Sequence, residues 1–145
     1  MNYSAYQPRP DLLKDRIILI TGAGDGIGRA AAISYALHGA TVVLHGRTLN
    51  KLEVIYDEIE SLGAPQPAIL PLQLSSASSH DYELLVSTLE QQFGRIVGIL
   101  HNAGMLGDRV ELADYPVDVW DDVMAVNLRA SFALTQALLP LLQKS

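Results

Sequence analysis

The sequence predicts an α/β fold in which a parallel sheet is covered by helices on both faces. Four short runs of apolar or β-branched residues alternate along the chain with segments whose apolar residues recur at helical spacing. Strands and helices that alternate through short links form parallel sheets with right-handed crossovers. The strand runs lack polar alternation, which is typical of strands buried on both faces. An open sheet between two helical layers is therefore expected.

The individual elements follow from the same patterns. The predicted strands are 16–21, 40–46, 67–74 and 96–104. The predicted helices are 26–38, one from Thr48 or Asn50 to Leu62, one around 82–93, and 117–143. Gly39 and Gly63 end the first two helices, since glycine readily takes the positive φ that often follows a helix.

Two prolines modify these elements. Pro71 has no N–H to donate to a strand ladder, so the third strand should lie at a sheet edge. Pro140 is expected to break or kink the last helix. Asn50 is followed three residues later by Glu53, which is the spacing of a capping box.

Length and composition indicate one globular domain. The chain has 145 residues, of which 49% are hydrophobic and 18% charged, as in an ordinary single domain. Residues 1–14 are interpreted as an extended N-terminal extension and residues 15–145 as the domain. Cysteine is absent, which excludes disulfides, a thiol nucleophile and cysteine-ligated metals. The four histidines lie far apart in the sequence, so no metal site is expected.

Charge and hydropathy argue against nucleic-acid and membrane partners. The net charge is −6, and the ten basic residues are scattered rather than clustered, whereas nucleic acid and anionic lipid attract clustered Lys and Arg. The N-terminus lacks the basic start and apolar run of a signal peptide. No apolar stretch is expected to reach the roughly 18 residues of a spanning helix. A soluble, cytoplasmic protein is expected.

The stretch ITGAGDGIGRAAA, residues 20–32, places a glycine-rich turn between the first strand and an alanine-rich helix. The strict G-x-G-x-x-G fingerprint is absent, and the pattern is instead T-G-x-x-x-G-x-G. Glycines permit a sharp turn, close approach of backbone N–H groups to a pyrophosphate and close packing of the helix, whose N-terminus attracts phosphate. A flexible surface loop is the alternative, but this placement favours phosphate binding. The residues assigned to this turn are Thr21, Gly22, Gly24, Asp25, Gly26, Ile27 and Gly28.

Three motifs in the same order resemble the short-chain dehydrogenase/reductase family. They are the glycine turn, His-Asn-Ala-Gly at 101–104 and Val-Asn-Leu at 126–128. Within the family, the nearest likeness is to uncharacterised bacterial oxidoreductases similar to oxoacyl-carrier-protein reductases. The resemblance implies a Rossmann-type, doubly wound, three-layer α/β/α fold with the C-terminal strands missing from this chain. It also implies hydride transfer between a nicotinamide cofactor and a carbonyl or secondary alcohol.

Arg47 favours NADP over NAD as the cofactor. Folds that bind NAD place an acidic residue at the end of the second strand to hold the ribose 2′-hydroxyl, yet no carboxylate occurs here before Glu53. Arg47 can instead pair with a 2′-phosphate. Asp25 argues against this choice, because NADP-preferring relatives often carry a basic residue there. An exposed loop arginine is the alternative interpretation.

The resemblance implies further cofactor contacts after the third and fourth strands. Asn102, Ala103 and Gly104 are expected beside the cofactor ribose, although a tight connecting turn would use the same residues. Gln73 stands where relatives usually have aspartate, which leaves its contact with adenine in doubt, and Leu74 is expected to line the adenine pocket. His101 replaces the family's first asparagine, and a structural hydrogen bond is favoured for it over catalysis.

Asn127 resembles the family's catalytic asparagine, which holds a water molecule in a proton relay. The alternative is a polar residue that bends a helix. The family's serine and its Tyr-x-x-x-Lys motif, in which the lysine lowers the tyrosine pKa, are not found, because none of the six tyrosines has a lysine four residues later. The chain is therefore interpreted as the N-terminal, cofactor-binding part of a longer enzyme, inactive by itself.

Two other functions stay open from the sequence. One is a non-catalytic NADP-binding sensor or scaffold, and the other is a different chemistry on the same fold, such as methyl transfer or sugar-nucleotide epimerisation. The substrate is not readable, because fold does not identify it. A homo-oligomer is expected for the complete protein, and aggregation or a partly molten state for this chain alone.

Overall fold

A four-stranded parallel sheet forms the centre of the molecule. The structure is a computed structural model and describes residues 5–145. The strands are β1 (Ile17–Thr21), β2 (Thr41–Gly46), β3 (Ala68–Pro71) and β4 (Gly98–Leu100), in the order β3-β2-β1-β4. All three strand pairs are parallel. This confirms the predicted α/β fold and the predicted position of Pro71 on an edge strand. β3 and β4 are shorter than the apolar runs that predicted them.

Helices cover both faces of the sheet. They are α1 (Gly26–Leu37), α2 (Leu49–Ser61), α3 (Ser79–Phe93), α4 (Val117–Met124) and α5 (Ala130–Gln143). One core, which includes Ile20 and Leu44, lies on the side of α1 and α2. The other, which includes Leu19 and Val43, lies on the side of α3 and α5. Neighbouring residues of β1 and β2 therefore point to opposite cores, as strand geometry requires.

The predicted single helix 117–143 is divided in the structure. A π-helical turn, Ala125–Arg129, separates α4 from α5. The predicted break at Pro140 is wrong, because α5 continues through this residue to Gln143. Proline removes one N–H, so α5 lacks a single bond, the one to the Gln136 carbonyl oxygen, and only three residues of the helix follow Pro140.

The helix starts also differ from expectation. Thr48 occupies the cap position of α2, but its side chain makes no capping hydrogen bond, and the capping box expected at Asn50 is absent. A capping box occurs instead at the start of α3, where Ser78 and Asp81 bind each other's backbone N–H groups. The glycine after α1 behaves as predicted, with a φ of 94° at Gly39.

The N-terminal extension is anchored where it meets the domain. The predicted range 1–14 is described from residue 5 onward, and residues 1–4 lie outside the described part. The Leu13 N–H donates to the His38 carbonyl oxygen at 2.9 Å, and the Leu13 side chain packs against the core beneath α1 and α2. The end of this segment therefore closes the C-terminal side of α1 rather than forming only an extended lead-in.

The expectation that no segment is long and apolar enough to span a membrane is corrected for one helix. Within the described residues, the helical run Val117–Gln143 has 27 residues, and its most apolar window of 18 residues has a mean hydropathy of 1.2, so the run meets the length and composition of a spanning helix. Core helices of globular proteins meet the same criteria, and Leu134, Leu138 and Leu141 of α5 are fully packed in the core. Much of the run is nevertheless exposed, since only 22% of its most apolar window is buried.

Candidate functional site

A cleft of about 420 Å³ opens at the carboxyl ends of all four strands. Ligands of open α/β sheets bind at this edge, because the strand order reverses there and leaves a crevice between the loops. Segments that follow each strand contribute to the lining. Among the predicted site residues, those lining the cleft are Gly22, Gly24, Asp25, Arg47, Gln73, Leu74, Asn102, Ala103 and Gly104.

The remaining predicted residues lie outside the lining of the cleft. These are Thr21, Gly26, Ile27, Gly28 and Asn127. Ile27 is 79% exposed at the start of α1. The helix start itself lies where the glycine pattern predicts it, because α1 begins at Gly26 directly after the turn.

Thr21 connects the glycine turn after β1 to the turn Asn102–Gly104 after β4. It is 2% exposed, and its Oγ1 accepts hydrogen bonds from the backbone N–H groups of Asn102 and Ala103, both at 3.0 Å. The same hydroxyl donates to the Leu100 carbonyl oxygen at 3.4 Å. These three hydrogen bonds hold the turn after β4 in place. Because the hydroxyl is occupied by them, a positioning role is favoured for Thr21 over direct contact with a ligand.

Asn102 and Gly28 fix the glycine turn from the other side. The Asn102 Nδ2 donates to the Gly22 carbonyl oxygen at 3.1 Å. A Cβ at Gly28 would overlap that same carbonyl oxygen and approach the Asn102 Nδ2 to 2.5 Å. Gly22 itself has a φ of 65°, and a Cβ there would lie 2.9 Å from the Ala103 Cα. The two turns therefore pack backbone to backbone, a contact that only glycine permits.

The start of α1 leaves space for an anion. Asp25 caps the helix by accepting from the Gly26 N–H at 2.8 Å. Gly26 has a φ of 51°, and an added Cβ there would meet nothing within 4 Å. Backbone N–H groups at such a helix start, with open space before them, suit a phosphate group. This observation, together with the basic residues described next, fits a dinucleotide.

Two basic side chains line the cleft beside the glycine turn. Arg47 is exposed and has no ion-pair partner among residues 5–145. Lys51, on the first turn of α2, lies 3.2 Å from an Asp25 carboxylate oxygen. The Gly26 backbone N–H and then Lys51 hold the pKa of Asp25 below its ordinary value. The negative charge of Asp25 argues against NADP binding when the sequence is considered alone. In the structure Lys51, which the sequence does not predict as a site residue, offsets that charge.

Asn127 bonds to the segment after β4 rather than to the cleft. Its Oδ1 accepts from the Met105 N–H and its Nδ2 donates to the Met105 carbonyl oxygen, each at 2.9 Å. The residue lies in the π-helical turn between α4 and α5. Both amide atoms therefore hold the backbone just beyond Gly104. The expected role in ordering a catalytic water stays a prediction.

His101 and Gln73 make local hydrogen bonds. The His101 Nε2 shares a hydrogen bond with the Thr135 Oγ1 of α5 at 2.9 Å, which confirms the predicted structural bond. Burial lowers the pKa of His101. The Gln73 Nε2 donates to the Ser75 Oγ at 3.2 Å while Gln73 lines the cleft. Its contact with adenine stays a prediction.

Five polar or charged residues of the cleft are not predicted as site residues by the sequence: His45, Thr48, Lys51, Ser75 and Asp122. His45 ends an apolar strand and Lys51 lies inside a helix, so each was assigned to an element rather than to a site. Asp122 is on α4, and only the packing of that helix over the cleft reveals its place. No group of three or more His, Asp or Glu side chains within the described residues could hold a metal ion.

Comparisons with known proteins agree with the geometry. The family model for short chain dehydrogenase matches residues 16–145. The uncharacterised oxidoreductase YciK of Escherichia coli K12 is 49% identical over 140 residues, which cover 97% of this chain and 56% of that protein. A short-chain dehydrogenase from Shigella flexneri, crystallised with NADP, is 47% identical to this chain and superposes on it with a TM-score of 0.91. The match covers 94% of this chain and 57% of the Shigella flexneri chain.

A second solved structure gives the same result. The short-chain dehydrogenase from Escherichia coli CFT073, crystallised with NADPH, is 49% identical to this chain and superposes on it with a TM-score of 0.91. The match covers 95% of this chain and 57% of the Escherichia coli chain. This chain therefore spans just over half the length of the relatives that it matches.

Proposed function

Since the chain belongs to the short-chain dehydrogenase family, we propose that it forms the cofactor-binding part of an NADP-dependent oxidoreductase. The complete protein would transfer hydride between the nicotinamide and a carbonyl or secondary alcohol. The observation that carries the proposal is the cleft at the strand ends, whose lining brings the glycine turn and Asp25, the cap of α1, together with Arg47 and Lys51. That combination provides backbone donors for a diphosphate and cations for a further phosphate.

The charges around the cleft support NADP rather than NAD. The cleft is lined by two cations, Arg47 and Lys51, and two carboxylates, Asp25 and Asp122. Lys51 pairs with Asp25 and Asp122 lies on α4, so Arg47 is the cation that follows β2 without an ion-pair partner among residues 5–145. Arg47 would bind the 2′-phosphate, because a guanidinium matches phosphate geometry. The relatives from Shigella flexneri and Escherichia coli that were crystallised with NADP and NADPH support the same cofactor.

Within this chain, the described residues bind and orient rather than transfer protons. NADP, when bound, supplies the hydride acceptor or donor of the reaction. Gly22, Gly24 and the start of α1 would hold its diphosphate, and the turn Asn102–Gly104 would lie beside the ribose next to the nicotinamide. Asn127 would keep that second turn in place through Met105, and any water that it orders would use the remaining lone pair of Oδ1.

The partners of the complete protein follow from the same proposal. The substrate is a small-molecule carbonyl or alcohol, and no role is proposed for nucleic acid or for a membrane. Assembly into a homo-oligomer and a cytoplasmic location both stay predictions.

The test is binding of NADPH and NADH to the full-length protein, measured by calorimetry for the wild type and for Arg47→Asp. The substitution should weaken NADPH binding by about tenfold or more and leave NADH binding nearly unchanged, because one charge-assisted contact to phosphate is replaced by repulsion. Arg9→Asp makes the same change of charge at a residue that does not line the cleft, and serves as the control. An unaltered preference for NADPH in Arg47→Asp would contradict the cofactor assignment.

A non-catalytic NADP-binding sensor or scaffold is the second candidate. It shares the cofactor cleft with the first candidate and differs from it only in having no Tyr-x-x-x-Lys motif in the complete protein. The coding sequence beyond Ser145 separates the two candidates: a serine followed by Tyr-x-x-x-Lys supports the enzyme, whereas a natural stop codon supports the binding module.

A further inference from the structure

His45 is a buried polar residue whose ring has no hydrogen-bond partner. It is 1% exposed, and within the described residues neither Nδ1 nor Nε2 has a partner. Its backbone is fully used, because the carbonyl oxygen accepts from the Ala23 N–H at 2.9 Å. A buried polar side chain without a partner costs stability. Such groups need a functional explanation more often than satisfied ones do.

The position of His45 in β2 places its side chain on one particular face of the sheet, and the residue is part of the cleft lining. Val42 and Leu44 point to the core beneath α1 and α2, whereas Val43 points to the core beneath α3 and α5. Because side chains alternate along a strand, the His45 ring lies on the same face as Val43, one step nearer the strand end. The cleft residues that belong to the core on this face are Leu72, Leu74, Ala103 and Val126.

The strands on either side leave the ring without a competing partner. In the sheet register His45 lies between Thr21 of β1 and Leu70 of β3. The Thr21 hydroxyl is already bonded to the turn after β4, and Leu70 is apolar. Burial lowers the pKa of His45 to about 4, so at neutral pH the ring is uncharged and carries one donor and one acceptor.

We propose that His45 is a further cofactor-binding residue, whose ring forms a hydrogen bond with the adenosine half of the bound dinucleotide. The adenosine half is expected to be the part contacted, because His45 lines the same cleft as Arg47, the proposed 2′-phosphate ligand two residues further along the chain, and Leu74, which is predicted to line the adenine pocket. The inference rests on the proposed function. It adds a neutral, buried contact to the charged one that Arg47 provides.

The experiment compares His45→Leu and His45→Gln in the full-length protein. Leucine has a similar volume but no polar atom, whereas glutamine keeps a donor and an acceptor. His45→Leu should weaken binding of both NADPH and adenosine 2′,5′-bisphosphate by about three- to tenfold, the effect of one lost neutral hydrogen bond. His45→Gln should recover part of that loss. The free His45→Leu protein should melt at a higher temperature than wild type, because an unpartnered polar group has been removed.

His38→Leu is the matched control. His38 follows α1 and binds the Ser34 carbonyl oxygen through Nδ1, away from the cleft, so its substitution should leave the affinity for both ligands unchanged. A second readout is the ¹⁵N spectrum of the histidine rings. On addition of adenosine 2′,5′-bisphosphate, one His45 ring nitrogen should shift while the His38 nitrogens stay in place.

The outcomes separate this inference from the proposed function. If the wild type binds neither ligand, the proposed function fails and the inference fails with it. If the wild type binds normally and His45→Leu binds equally well, or if the His45 nitrogens do not respond to the ligand, only the inference is overturned. The ring would then be a buried structural group bonded to internal water.

Discussion

Gly28 determines how closely the two turns of the site approach each other. The carbonyl oxygen of Gly22 and the amide of Asn102 occupy the space in which a Cβ of residue 28 would lie. The sequence predicts close packing at this position because glycine opens a helix directly after a strand. It does not predict that Asn102 is the partner, since that contact joins residues that lie 80 positions apart.

Gly28→Ala should therefore destabilise the protein and weaken dinucleotide binding. Overpacking of a tightly packed contact costs about 1–3 kcal/mol, measurable as a lower free energy of unfolding in urea. Gly98→Ala is the control, because an added Cβ there meets nothing within 4 Å and no positive φ is involved. Equal stability of the two variants would show that the turns are not packed as described.

His45 should make stability fall with acid in a defined window. Its folded pKa of about 4 lies below its ordinary value of 6.5, so the unfolded chain binds the proton more tightly. Stability is then fully present above pH 6.5 and is lost as the pH falls to 4, by about 3 kcal/mol in total. Burial also lowers the pKa of His101, which acts in the same direction.

Comparison of the wild type with His45→Leu isolates this contribution. Free energies of unfolding of the two proteins are measured at pH 7, 5.5 and 4. The wild type should lose about 3 kcal/mol more than the variant between pH 6.5 and 4, because only the wild type buries an imidazole that the unfolded chain protonates more readily. Backbone hydrogen bonds from Gly26 and Ser78 lower the pKa values of Asp25 and Asp81. The stability that these carboxylates lose near pH 4 is the same in both proteins, so it cancels in the comparison. Parallel pH profiles would contradict the burial of an uncharged His45.

At the scale of elements, the boundary between α4 and α5 shows what sequence periodicity can and cannot predict. Apolar spacing places a helix across 117–143, and that range is helical throughout. The π-helical turn within it is not visible from spacing, because one wider turn hardly changes the pattern of apolar residues. Its position coincides with Asn127, whose amide bonds to Met105 across the chain. The tertiary contact, rather than local propensity, distinguishes this turn.

Asn127→Ala should free the backbone at Met105. Two hydrogen bonds are lost, each worth about 0.5–1.5 kcal/mol, so amide hydrogen exchange at Met105 should become faster. Asn127→Asp is the informative partner variant, since it keeps the acceptor for the Met105 N–H but loses the donor to its carbonyl oxygen. Unchanged exchange at Met105 in Asn127→Ala would mean that other contacts hold this segment.

At the scale of the whole molecule, the alternation of strands and helices was sufficient to predict the sheet and the edge at which the cleft opens. The glycine turn, Arg47 and the turn at 102–104 were predicted as site residues because each follows a strand, and they line one cleft. Lys51, Asp122 and His45 were not. Their places depend on how helices pack over the sheet and on which face a strand residue takes, and neither follows from local pattern alone.

The chain of 145 residues studied by itself should self-associate. Within the described residues β4 pairs only with β1, and an open strand edge invites pairing with another chain. Exposed apolar side chains on and between α4 and α5 add to this tendency: Trp120, Leu128 and Phe132 are 55%, 61% and 65% exposed. Sedimentation should show concentration-dependent species and heating a broad transition. A monomer with a sharp cooperative melt would contradict this expectation, and the full-length protein is the comparison.

The single hydroxyl of Thr21 reaches backbone 81 residues later in the chain. Insertions or deletions in the loops between these points would leave that junction intact, provided that β1 and β4 keep their register. A one-residue slip in β4 would instead turn its alternate side chains to the wrong face and move the Asn102 and Ala103 amides out of reach. Among relatives, insertions and deletions between Thr21 and Asn102 should thus lie in the surface loops. We expect no insertion or deletion within β4, the short strand that precedes Asn102.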